Sequence, residues 1–149
     1  MSSFSRMLLV YDGTAEAQAA LNRCSQLSLA LSAQVDVVSV VDSVGANAIC
    51  AGLLSDIACT SMEQLARHAL DAAVGHLASL GVTAYGHLKY GRPADVISLH
   101  VAAFHADIVV IGHRVQKGIG RWWGERPVHL DLAERLRGSA IVAVTAPLA

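Results

Sequence analysis

The chain reads as an open α/β domain over residues 1–149: a five-stranded, mostly parallel sheet in the order 3-2-1-4-5, with helices on both faces. Three observations predict it. Short apolar, β-branched runs recur along the sequence and are too short to favour helices. Stretches with helical spacing separate them, so consecutive strands cannot pair as hairpins. Hydrophobic residues make up 54% of the chain and charged residues 15%, enough apolar side chain to cover both sheet faces and too much for a disordered chain.

Met7-Leu8-Leu9-Val10-Tyr11 is the first strand, stopped by the turn Asp12-Gly13-Thr14. Thr14 caps the helix that follows, whose apolar positions are Ala17, Ala20, Leu21, Cys24, Leu27, Ala30 and Leu31. Val35 to Val41 is the second strand, and 43–55 is an irregular, small-residue segment. A long helix spans roughly Asp56 to Leu80, with Leu65, Ala69, Ala72, Ala73 and Leu77 assigned to one face and Gly81 as its stop. Val82 to Leu88 alternates as a third strand. Pro93 opens a helix reaching about His105, at a position where its missing N–H costs nothing. Asp107 to Ile111 is the fourth strand. Gly112 to Pro127 is a loop carrying five Gly or Pro and four Arg or Lys. Val128 to Arg137 is the last helix and Ala140 to Val144 the last strand.

The net charge of −1 gives no global field to attract nucleic acid or a membrane surface. Cys24, Cys50 and Cys59 are odd in number and form no CxxC pair, as expected of thiols in a reducing compartment. No signal peptide or long apolar span is visible, so the cytoplasm is the expected location. The seven histidines form no HxH or HxxxH pair, and no metal site is expected. GxSxG, a Walker lysine loop and GxGxxG are absent, so no catalytic nucleophile is expected.

In sheets of this kind a ligand binds beyond the carboxyl ends of the strands, where the winding reverses. With the order 3-2-1-4-5 the reversal lies between strands one and four. The candidate residues are Asp12, Gly13 and Thr14 after strand one and Gly112, His113 and Arg114 after strand four. The loop continues through Lys117, Gly118, Gly120 and Arg121. Its glycine backbone and three cations suit an anion; a solvated surface loop with turn glycines is the other reading. Trp122-Trp123 either stacks a base or packs beneath the loop.

Taken together, several pieces are similar to the universal stress protein family. They are Leu9-Val10-Tyr11-Asp12-Gly13-Thr14, Val38-Ser39-Val40-Val41-Asp42, Gly91-Arg92-Pro93-Ala94, Ala106 to Arg114, Leu132-Ala133-Glu134-Arg135-Leu136 and Ile141 to Val144. The resemblance implies a fold of the adenine nucleotide alpha hydrolase-like, Rossmann-like kind, a regulatory stress-response role without a catalytic site, and a homodimer. The last strand, residues 140–144, is the expected dimer edge, with an unidentified protein partner beyond it. In one branch of the family ATP is held, and slow hydrolysis goes with that reading. There Asp12 and Val40 correspond to the contacts to adenine and ribose. The phosphate loop of that branch runs G-x-x-G, nine residues, then G-[ST]. Here Gly112 remains, Val115 replaces the second glycine, and Glu125 or Asp131 stands where a hydroxyl is expected. A carboxylate there repels phosphate, so the loop is a degenerate one. An adenine nucleotide is therefore an alternative ligand and not an implied cofactor.

Overall fold

The computed structural model describes residues 4–42, 55–113 and 127–147, leaving aside the side chains of 55–60. The elements are β1 (Arg6–Val10), α1 (Ala15–Leu31), β2 (Gln34–Val41), α2 (Ser55–Ser79), β3 (Ala84–Tyr90), α3 (Pro93–Phe104), β4 (Ile108–His113), α4 (Val128–Arg135) and β5 (Ala140–Thr145). The sheet order is β3-β2-β1-β4-β5, and every neighbouring pair is parallel. The expected fold class and strand order therefore hold.

Alternation along the strands divides the core in two. Met7, Leu9, Val35, Val37, Ile108 and Val110 face α1 and α2. Leu8, Val38, Val109 and Ile111 face α3 and α4, where Ile97, Val101 and Leu132 meet them. A fully buried leucine such as Leu8 or Leu9 contributes about 1.5–3 kcal/mol relative to an exposed one. The strands whose ends carry the candidate site are thus packed on both faces.

Thr14 caps α1 as expected: its backbone is extended and its hydroxyl accepts a hydrogen bond from the Ala17 amide at 3.2 Å. Ala17, Ala20, Leu21 and Cys24 of α1 are buried. Ala30, expected on that face, is exposed. Ser25 and Ser28 are buried instead, their hydroxyls donating to carbonyls within the helix, Asn22 O and Ser25 O, which satisfies them without water. Burial pushes the Cys24 thiol up to about 12, so it stays protonated and inert. Cys50 lies outside the described residues, as does the side chain of Cys59.

Two further expectations are corrected. Among the described side chains of α2 the buried ones are Leu70, Ala73 and Leu77, with Ala69 and Val74 beside them. Leu65 is 71% exposed and Ala72 is exposed. At 3.6 residues per turn Leu65 stands roughly 140° around the helix from Leu70, so it cannot share the face that Leu70 and Leu77 present to the sheet. The third strand begins two residues later than expected. The Val82 amide donates to Leu77 O, closing α2 behind the left-handed Gly81 (φ +86°), and is thereby taken out of the ladder. The last helix likewise ends at Arg135, before the expected Arg137.

Candidate functional site

The chain leaves β1 through Tyr11, which is fixed at three points. Its amide donates to Val38 O at 3.0 Å, its carbonyl accepts from the Ser39 hydroxyl at 2.6 Å, and its phenol donates to Gln18 Oε1 at 3.0 Å. Asp12 follows. One carboxylate oxygen accepts from the Thr14 amide at 3.1 Å and from the Thr14 hydroxyl at 2.6 Å. Gly13 between them has φ +80°, a conformation glycine adopts without strain. Strand end, turn and helix cap are thus one hydrogen-bonded unit.

Across from this turn, β4 ends against the first turn of α1. A Cβ on Gly112 would stand 2.5 Å from the Glu16 carbonyl carbon, so glycine is what lets β4 approach the start of α1. Between these strand ends lies a cavity of about 310 Å³. Val10, Val40, Ile111, Pro93 and Val128 give it apolar walls. Asp12, Thr14, Glu16 and His129 give it polar groups. The charged side chains among the described lining residues are the carboxylates of Asp12 and Glu16. A broader groove of about 550 Å³, lined by Ser5, Ser28, Gln34 and Thr83 among others, lies at the opposite end of the strands and brings together no ionisable side chain.

Of the candidate residues, Asp12, Thr14, Val40 and Gly112 line the cavity. Gly13 shapes the turn, its missing Cβ facing Ala69 at 3.6 Å. His113, at the end of β4, meets His129 edge to face at 5.0 Å. Burial, and then the His113 imidazole, hold His129 below the ordinary histidine value. Arg114, Lys117, Gly118, Gly120 and Arg121 lie outside the described residues, as do Val115, Trp122-Trp123 and Glu125. Asp131 is described but is not among the residues lining the cavity. Glu16 and His129 were not singled out from the sequence, and Pro93 only as a helix-opening residue within a family-like piece, not as a site residue. Only the strand order, which sets the starts of α1, α3 and α4 around one opening, would have indicated them.

A second polar cluster lies away from this cavity. Asp36 on β2, His87 on β3 and His100 on α3 each offer a metal-ligand atom, and these atoms lie within 4.8 Å of one another. Sequence spacing gave no sign of it.

No helix among the described residues is long and apolar enough to cross a membrane. Among curated proteins none matches this chain. Solved structures share its fold. The hypothetical protein MJ0577 is 13% identical, with a TM-score of 0.78, covering 98% of this chain and 99% of that one. A universal stress family protein from Burkholderia pseudomallei is 20% identical, with a TM-score of 0.74 and coverage of 97% and 98%. One from Arabidopsis thaliana, solved with AMP bound, is 15% identical, with a TM-score of 0.70 and coverage of 96% and 92%. At such identities these likenesses establish the fold. The sequence itself matches the model of the universal stress protein family over residues 3–125, most of the chain, and the chain therefore belongs to the universal stress protein family.

Proposed function

We propose that this chain is a regulatory universal stress protein of the cytoplasm, without a catalytic site, that works as a homodimer through a protein partner. Its strand-end cavity takes an adenine nucleotide held by base and sugar more than by phosphate. The cavity is the observation that carries this reading. Its apolar walls suit a flat base, and Asp12 faces the same space with a carboxylate suited to ribose hydroxyls or an exocyclic amine. The described walls add Glu16, a second carboxylate. A phosphate about 4 Å from a carboxylate is repelled by about 1 kcal/mol in water and about 4 kcal/mol near a protein surface. Each added phosphate therefore weakens the fit unless the cations of 114–121 offset it. Val115 in place of the glycine, and Glu125 or Asp131 in place of the hydroxyl of the nucleotide-holding branch, act in the same direction. An Arabidopsis thaliana neighbour holds AMP, and others of the fold were solved with cAMP and with dAMP; these are ligands with one phosphate.

Homodimerisation through β5 is part of the same reading. β5 is a sheet edge with an apolar sequence, and Ala140 and Ala143 are exposed on it. Two such edges pair readily about a twofold axis.

The test is to denature freshly purified protein and chromatograph what it releases. The expected result is an adenine nucleotide with a single phosphate, in smaller amount from Asp12→Ala. If nothing adenine-containing is released and no adenine nucleotide binds in titration, the cavity is not a nucleotide site and the chain works through partners alone.

A further inference from the structure

We propose that Asp36, His87 and His100 form a binding site for a divalent transition-metal ion of the zinc class, with one imidazole nitrogen from each histidine and the Asp36 carboxylate as ligands. The register of the sheet assembles it. Val38 lies opposite His87 and Asp36 opposite Tyr85 in the β2–β3 pair. Asp36 and His87 therefore sit diagonally on one face of the sheet. That face is covered by α3, whose last turns bring His100 onto the same spot. His87 Nε2 is 3.3 Å from one Asp36 oxygen and His100 Nε2 is 3.7 Å from the other. A tetrahedral zinc ion with bonds of about 2.0–2.1 Å separates its ligand atoms by roughly 3.3 Å. One ligand atom from each group lies within 4.8 Å of the others, so side-chain shifts of about 1 Å bring the three to the spacing that one ion requires.

Burial makes the cluster more than a surface coincidence. Asp36 is 6% and His100 4% exposed, and a buried carboxylate needs a cation or strong donors. His100 Nε2 is fully buried and has no hydrogen-bond partner. With the Asp36 oxygen at 3.7 Å, too far for a hydrogen bond, this buried nitrogen keeps much of its desolvation cost, which a metal bond removes. The ring is already oriented: Phe104 stacks on it at 4.3 Å and His87 meets it edge to face at 4.7 Å. The electrostatic influence of Lys89 reaches His100; that of the Asp36 carboxylate is larger and of opposite sign. Two imidazoles and a carboxylate are a donor set suited to zinc, cobalt or iron rather than calcium or magnesium. His87 is partly exposed at the sheet edge, which gives the ion a way in and leaves a fourth position for water or a further donor. Bound there, the ion would tie β2, β3 and α3 together.

The experiment uses the full chain, stripped with a chelator and dialysed against Zn²⁺ or Co²⁺. One ion per chain is expected, with the visible absorption bands of tetrahedral Co²⁺ and a rise in melting temperature on Zn²⁺ addition. Loss of an outer partner alone costs a metal site about 10–100-fold in affinity, so His87→Ala, which loses a ligand, should weaken binding by roughly a hundredfold and abolish the melting shift. His68→Ala, on the exposed face of α2, should change neither. His100→Ala should act like His87→Ala if it folds; the partly exposed His87 keeps the test open if it does not. Absence of saturable binding, or binding that His87→Ala leaves intact, would overturn the proposal.

Discussion

At the exit of β1 the Asp12 carboxylate accepts two hydrogen bonds within its own turn while lining the cavity. It therefore carries a local structural role as well as the proposed ligand role. Asp12→Ala should cost about 1 kcal/mol of stability, the usual worth of such a capping interaction. Asp12→Asn retains an acceptor for the Thr14 amide and should unfold close to wild type in denaturant. It lacks the charge, however, and should still bind nucleotide more weakly. Equal destabilisation by both variants would mean that charge, not the hydrogen bonds, steadies the turn. Gly112 has a comparable double character. A methyl group there would run into the Glu16 backbone, and backbone yields less readily than a side-chain tip. Gly112→Ala should lower stability by about 1–3 kcal/mol, as overpacking does, measured by urea unfolding. An unchanged midpoint would mean that α1 moves away at no cost. The sequence marked both residues through strand-end position and through the resemblance to the nucleotide-holding branch. It did not reveal the contact between Gly112 and Glu16, because that contact joins residues far apart in the chain.

Among the elements, legibility followed how strongly each period was marked. β1, β2 and β4 are short runs of branched or aliphatic residues between turn signals, and no other element fits them. α2 was placed correctly, but its face was not. In a helix rich in alanine and leucine nearly every angular sector carries an apolar residue, so Leu65 and Ala72 looked as eligible as Leu70. What decides is the surface the helix covers, and only the packed sheet supplies it. β3 slipped because Val82 and Thr83 continue the alternation while the Val82 amide is used to close α2. The Asp36–His87–His100 cluster was illegible for a related reason. Asp36 and His87 are 51 residues apart, and only the β2–β3 register and the cover of α3 bring them together. β5 carries the element-scale prediction. Ala143 is exposed on this edge strand, whereas Val142 packs against the core. Ala143→Lys should therefore give monomers by sizing with light scattering while leaving the fold intact by circular dichroism. A dimer that persists would place the interface on another surface.

For the molecule as a whole, one rigid parallel sheet presents its strand ends to a cavity whose described charged groups are carboxylates. That combination separates two uses of the same fold. A site that grips a triphosphate draws most of its affinity from cations and backbone amides around the phosphates. A site walled by aliphatic side chains and two carboxylates draws it from base and sugar. Calorimetric titration of the full chain with AMP and with ATP, in buffer free of divalent cations, distinguishes them directly. AMP should bind at least as tightly as ATP, and Asp12→Ala should weaken both. ATP binding more than about tenfold tighter than AMP, a difference of about 1.4 kcal/mol in favour of the added phosphates, would contradict it.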